Sequence, residues 1–126
     1  MTGQATWSRL PDGKRIHFQH GPIDLIIQVW CTRGECDAAF GQAFSRFETI
    51  MDELTSEIFS LRQPLTEIPP ILATPVARRM LNATWPHRNT FVTPMAAVAG
   101  AVADEVLNAL VHDRRIQKAY VNNGGD

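Results

Sequence analysis

The sequence lacks the features that mark several large classes of protein. Its 12 basic and 13 acidic residues give a formal net charge of −1, so it has no basic excess of the kind that nucleic-acid-binding domains carry. No apolar run approaches the roughly 18 residues of a membrane-spanning helix. The first ten residues lack the basic and then apolar pattern of a signal peptide, which predicts a cytoplasmic protein. We therefore expect neither nucleic acid nor a membrane as a partner.

Cysteine is also scarce. Cys31 and Cys36 are the two cysteines in 126 residues, too few for a disulfide framework. In the cytoplasm we expect both to be reduced thiols. The length predicts a single domain, 1–126, with a sizeable core.

Two segments near the N-terminus have the composition of strands, after ten residues that we expect to be loose. Residues 14–19 alternate polar and apolar side chains, which predicts a half-buried strand. Residues 23–32 are rich in Ile, Val and Trp, which predicts a buried strand. His20-Gly21-Pro22 breaks the pattern between them and predicts a hairpin turn.

The middle of the chain has helical spacing. From about residue 37 to 62, core side chains recur every three or four residues, at Phe40, Phe44, Phe47, Met51, Leu54, Ile58 and Leu61. A connector at 63–73, a helix at 75–83 capped by Thr74, a helix from 93 to about 112 and a strand at 118–121 follow. These elements predict an α+β fold, with an antiparallel or mixed sheet packed against the long helix and a buried small-residue helix.

The small-residue helix begins with TPMAAVAGAVAD, residues 93–104. The Thr93 hydroxyl suits an N-cap, and Pro94 suits the first helical position. The uncharged residues that follow let other backbone approach closely and predict coverage on most sides. Thr93 either only caps the helix or lies at a terminus that faces an anion. Asp104 is either a solvated carboxylate or a ligand contact.

The chain ends with NNGGD, residues 122–126, after a predicted strand. Two glycines let backbone approach a ligand, and Asp126 can accept from hydroxyls or hold Mg²⁺. The alternative is an ordinary turn that closes a hairpin.

Two histidines and an aspartate lie around the first hairpin. His17 is predicted to be an exposed strand residue and His20 a turn residue, since too few ligands lie nearby for a metal site. Asp24 lies in an apolar strand and needs a partner, either a backbone N–H or the His20 ring.

Three motifs carry a resemblance to a known family: HGPIDLII at 20–27, TPMAAVAGAVADEVL at 93–107 and AYVNNGGD at 119–126. Together they resemble an uncharacterised family related to ApbE, over roughly residues 8–126. The ApbE superfamily contains transferases that use FAD and a divalent metal to attach FMN to a partner's threonine. On this resemblance Gly100 matches the helix glycine, Asp104 its aspartate, and Gly124-Gly125-Asp126 the turn.

The resemblance implies a cofactor site for FAD or FMN, with Mg²⁺, formed by Thr93, Met95, Gly100, Asp104, Asn122, Asn123, Gly124, Gly125 and Asp126. Two departures matter: Ala99 replaces the family's lysine, and the later metal-binding loop is absent. The resemblance therefore implies the N-terminal half of a longer protein, whose open sheet edge favours a homo-oligomer. Two hypotheses follow: an FMN transferase-like enzyme, or a non-catalytic protein that binds a small anionic ligand or assembles.

Overall fold

The computed structural model describes residues 3–123 and has the predicted α+β class. Its strands are Thr6–Arg9 (β1), Ile16–His20 (β2), Ile23–Trp30 (β3) and Lys118–Asn123 (β4). Its α-helices are Arg33–Ser56 (α1), Ile58–Leu61 (α2), Pro75–Thr84 (α3) and Val98–Val111 (α4), with single 3₁₀ turns at Trp85–His87 and Pro94–Ala97.

The chain divides into two compact units. The described part of the first comprises residues 3–49 and 103–123, and the second is Ile50–Val102. The first unit therefore holds the whole sheet, the beginning of α1 and most of α4, and the second holds α2 and α3.

The sheet has the order β1-β2-β3-β4, and each neighbouring pair is antiparallel. The hairpin predicted at residues 20–22 is confirmed, and Gly21 has the positive φ of 57° that suits glycine in a tight turn. The last strand is also confirmed, and it pairs with β3. The two predicted hairpin strands and the C-terminal strand thus form one continuous sheet.

The prediction of a loose N-terminus is wrong, because Thr6–Arg9 pairs with β2. All four residues of β1 are exposed. An edge strand of this kind has no buried face, so it shows no alternation of apolar and polar residues in the sequence.

The core of the first unit forms where the inner face of the sheet meets α1. Phe18 is 1% exposed, and its ring centroid lies 5.2 Å from that of Phe44 and 5.3 Å from that of Phe47. Leu25 and Ile27 of β3 are fully buried on the same face of the sheet. Strand alternation puts these side chains on one side, as the apolar pattern predicts.

The long helix is shifted and shorter than predicted. It spans Arg33–Ser56 rather than residues 37–62, and a separate short helix follows at Ile58–Leu61. Its buried residues are Ala39, Ala43, Phe47, Ile50, Met51 and Leu54. Phe40 and Phe44, which the spacing assigns to the core, are only half-buried, so these two aromatic rings retain surface that another molecule can contact.

The small-residue helix differs from the prediction at its start. Thr93 is extended and makes no side-chain capping hydrogen bond, and the first turn is 3₁₀ rather than α. One face of the helix is open, since Ala96 and Gly100 are exposed. Outside the helix's own backbone and the neighbours of Gly100 in the chain, no described atom lies within 4 Å of a Cβ built on Gly100. The other residues of 93–103 are buried or half-buried.

Glu57 organises the start of α3 in the second unit. Its carboxylate accepts hydrogen bonds from the N–H groups of Ala73 (2.6 Å) and Thr74 (3.1 Å) and from the Thr74 hydroxyl. The sequence predicts that the Thr74 side chain caps α3, but it makes no capping hydrogen bond. Its hydroxyl donates to the Glu57 carboxylate instead. Partial burial raises the pKa of Glu57, but the hydrogen bonds from Thr74 and Ala73 outweigh this effect and hold the pKa below its usual value.

Glu57→Gln is expected to lower the free energy of unfolding by about 1 kcal/mol at pH 7, because the charged acceptor of these bonds is lost. The folded-state pKa is lowered, so Glu57 stabilises the fold above its unfolded pKa, and this contribution disappears as the pH falls through the folded pKa. Urea denaturation at neutral and acidic pH measures both effects. Glu67→Gln, at an exposed residue, is the control, and equal losses in the two variants would contradict the prediction.

Candidate functional site

A cavity of 660 Å³ lies at one end of the sheet in the first unit. We call it the basic cavity. Its polar and aromatic lining comprises Arg9, Lys14, Gln28, Trp30, Arg33, Asp37, Phe40 and Gln117, together with Cys31 and Cys36. This volume is within the range of small-molecule sites in proteins.

The antiparallel topology explains why these residues meet. β1 ends at Arg9, β2 begins at Ile16 just after Lys14, and β3 ends at Trp30 just before the first turn of α1. In an antiparallel sheet, the end of one strand lies beside the beginning of the next. The loops that carry the basic residues are therefore brought to the same end of the sheet.

Asp12 fixes the loop that carries Lys14. Its carboxylate accepts the N–H groups of Lys14 (2.9 Å) and Arg15 (3.1 Å) and the Nε–H of Arg15 (2.6 Å). These hydrogen bonds lower the pKa of Asp12 to about 2. Gly13, with a φ of 71°, completes the turn at Pro11-Asp12-Gly13.

The charge of the lining is mainly positive. Arg9 donates from Nη1 to the Gly13 carbonyl (3.4 Å), and its Nη2 lies 3.9 Å from an Asp37 carboxylate oxygen. The Lys14 and Arg33 side chains make no hydrogen bond or ion pair with any other residue between 3 and 123. Two cations without a counter-charge beside a concave surface attract anions.

Trp30 gives the basic cavity an aromatic wall. It is 36% exposed, and the Lys118 ammonium lies 4.8 Å from the centre of its ring. Lys118 is opposite Trp30 in the β3–β4 register, so this cation–π contact follows directly from strand pairing.

The two cysteines form a disulfide, and the prediction of reduced thiols is wrong. Cys31 follows β3 and Cys36 lies in the first turns of α1. The turn between the strand and the helix brings their Cα atoms to 5.7 Å, a separation that a disulfide can span. The count of cysteines could not show this proximity, and the bridge encloses Arg33 within the wall of the basic cavity.

A second concavity of 320 Å³ lies between β1, β2 and α1. We call it the aromatic groove. Most of its walls are apolar: Trp7, Ile16, Phe18, Phe40 and Phe44, with Gly41. Arg9, Asp37 and Phe40 line both the groove and the basic cavity.

The residues predicted to bind a cofactor are divided between the two units. Thr93 and Met95 are half-buried and Gly100 is exposed in the second unit, whereas Asp104 and Asn122 are exposed in the first.

Asn123 is half-buried, and Asn122 and Asn123 belong to β4 rather than to a turn. Gly124, Gly125 and Asp126 lie outside the described residues. The binding role of this set stays a prediction.

The histidines of the first hairpin have structural partners. The His17 Nε2 lies 2.7 Å from the Asp24 Oδ1, so the partner of Asp24 is His17 rather than His20 or a backbone N–H. The two are diagonal neighbours on the outer face of the sheet. His20 is the last residue of β2 rather than a turn residue, and it is 6% exposed. Its Nε2 lies 3.1 Å from the Gly3 carbonyl oxygen. Strand alternation places it with Phe18 on the core side.

The chain matches the model of the family described as AbpE bacteria over residues 7–126. The chain belongs to this family. No characterised protein and no solved structure matches it. Within residues 3–123, no group of three or more His, Cys, Asp or Glu residues is placed to hold a metal ion.

The resemblance to ApbE flavin transferases is wrong, because the matching family is AbpE bacteria and not a flavin transferase family. That resemblance was the basis for a flavin, FAD, magnesium and transferase chemistry. None of these is proposed below, and the hypothesis of an FMN transferase-like enzyme loses its basis.

One helical stretch, Pro94–Val111, is long and apolar enough to cross a membrane, by length and composition only. The sequence was expected to contain no apolar run of this length. Asp104 and Glu105 lie in its middle, where ionised side chains are costly in a bilayer. A core helix of a globular protein can pass the same test, so this stretch is weak support for a membrane protein.

The basic cavity is not among the predicted sites. None of Arg9, Lys14 and Arg33 belongs to a predicted site, and Arg33 precedes the predicted start of the long helix at about residue 37 but begins α1 in the structure. A signal existed: the basic residues lie at two chain reversals, between β1 and β2 and between β3 and α1, that share one end of an antiparallel sheet. It becomes visible only once β1 is recognised as a strand.

Proposed function

We propose that this protein binds a small anionic molecule in the basic cavity and does so without catalysis. The observation that carries the proposal is the pair of cations, Lys14 and Arg33, that line a concave surface beside Arg9 without a described counter-charge. Guanidinium and ammonium groups are the usual protein partners of carboxylates and phosphates. As part of the same proposal we place the protein in the cytoplasm, where the Cys31–Cys36 disulfide would be open to reduction.

The lining supports binding more than chemistry. It offers three cations, the amides of Gln28 and Gln117, and aromatic surface from Trp30. These groups recognise charge, hydrogen-bonding edges and flat rings. The carboxylate of Asp37 lies near Arg9, so its charge is partly balanced there.

The test is titration calorimetry with pyrophosphate and citrate at low ionic strength. We expect measurable binding by the native chain. The double variant Lys14→Ala/Arg33→Ala is expected to bind at least about tenfold more weakly, since each charge-assisted hydrogen bond contributes roughly 1.5–3 kcal/mol.

The matched control is Arg62→Ala/Arg115→Ala, which removes the same charge from exposed residues outside the cavity lining. Equal weakening in both double variants would show an effect of net charge alone. If the native chain binds neither anion, the proposal fails.

The second candidate function is assembly into a homo-oligomer. β1 and β4 are the outer strands of the sheet, and an outer strand has backbone groups that can pair with another chain. Light scattering on the same samples measures the mass. A stable oligomer in a protein that binds neither anion would favour assembly over ligand binding.

A further inference from the structure

We infer that the anion bound by this protein is amphipathic: its charged head lies in the basic cavity and its apolar body lies in the aromatic groove. The inference rests on the proposed function and extends it to a ligand class. It starts from the fact that the cavity and the groove have Arg9, Asp37 and Phe40 as common walls.

The groove retains apolar surface that the fold does not cover. Trp7 is 56% exposed, and Phe40 and Phe44 are half-buried although α1 presents them toward the sheet. The rings of Phe44 and Phe18 pack edge to face with their centroids 5.2 Å apart. Because Phe18 is buried, this pair gives the groove a packed floor. Open aromatic surface of this kind favours an apolar occupant.

Charge distinguishes the two ends of the joint site. In the groove, the charged side chains are Arg9 and Asp37, which it shares with the cavity. Lys14 and Arg33 line the basic cavity but not the groove. A ligand that lies across both therefore gains by carrying its negative charge at one end and apolar groups at the other.

The size of the groove suits a short chain or a small ring system rather than a polymer. Its volume is 320 Å³ and that of the cavity is 660 Å³. A carboxylate on a medium-length hydrocarbon chain meets these requirements, and octanoate is the simplest probe. Acetate supplies the head alone, and 1-octanol supplies the tail without charge.

The experiment compares these three probes by calorimetry with the native chain. Octanoate is expected to bind at least tenfold more tightly than acetate and than 1-octanol. Trp7→Ala is expected to weaken octanoate severalfold while the affinities for pyrophosphate and citrate stay unchanged. Because Trp7 lies on an exposed edge strand, this variant should fold, and circular dichroism checks that it does.

Phe59→Ala, at an aromatic residue that is 78% exposed and lies in the second unit, is the matched control and should change no affinity. If acetate and octanoate bind equally while pyrophosphate binds, the amphipathic ligand is wrong and the anion site stands. If 1-octanol binds as tightly as octanoate, the cations do not recognise the head and the inference is overturned. If no anion binds at all, the proposed function itself fails.

Discussion

Phe47→Ala is expected to lower the free energy of unfolding by about 3–5 kcal/mol, the usual cost of deleting a buried phenylalanine. Phe47 is fully buried, and its ring centroid lies 5.3 Å from that of Phe18 and 6.2 Å from that of His20. Because a domain of this size is stable by about 5–15 kcal/mol, this one truncation removes a large fraction of the total. Urea denaturation followed by far-ultraviolet circular dichroism measures the loss.

The control for this truncation is again Phe59→Ala, which removes the same atoms from an exposed ring. Surface substitutions of this kind usually change stability by less than about 0.5 kcal/mol. Phe47→Leu keeps an apolar side chain and should give an intermediate loss. If Phe47→Ala and Phe59→Ala destabilise equally, the contact between α1 and the sheet is not the core of the first unit.

Elements with one buried face were predictable from the sequence. β2 and β3 alternate or run apolar because one face of the sheet packs on α1, and the helix α3 repeats its buried positions at Val76 and Met80. The breaks between them carry proline or glycine. The fold class and the hairpin follow from these local signals, since each signal is contained in one strand, helix or turn.

The basic cavity depends on strand order, which no local pattern encodes. Arg9, Lys14 and Arg33 are brought together by the pairing of β1 with β2 and by the turn from β3 into α1. β1 is exposed along its length, so its residues show no alternation of apolar and polar side chains that would predict a strand. Without that strand, the three basic residues are unrelated loop residues.

Helical spacing alone also could not separate core from groove. Phe40, Phe44 and Phe47 share a stripe on α1, yet Phe47 alone of the three is buried. The other two line the aromatic groove, together with Trp7 and Arg9 of the edge strand β1. A stripe of aromatic residues therefore predicts which face meets the sheet, but not where the sheet ends.

The segment identified from its unusual composition, residues 93–104, illustrates a different limit. Small uncharged residues predict close approach of other backbone, but Gly100 is exposed and a Cβ added there would meet open space. Small uncharged side chains are compatible with a buried helix face and also with an exposed one. The similarity of three short motifs to ApbE did not identify the family, whereas the match over residues 7–126 did.

Reduction of the Cys31–Cys36 disulfide is expected to lower the free energy of unfolding by about 2 kcal/mol, from the loop-closure entropy of a bridge with a sequence separation of 5. A dithiol reductant exchanges with the bridge, which yields two protein thiols and the cyclic disulfide of the reductant. Urea denaturation with and without this reductant measures the difference. The bridge joins the end of β3 to α1, so the wall of the basic cavity should loosen together with the fold.

The variant Cys31→Ser/Cys36→Ser separates this effect from any other action of the reductant. It should be less stable than the oxidised native chain by about the same 2 kcal/mol, and the reductant should not change it further. A thiol reagent applied to the unfolded native chain checks that the bridge was present before reduction. If the oxidised and reduced native chains unfold at the same urea concentration, the bridge does not constrain the junction of β3 and α1.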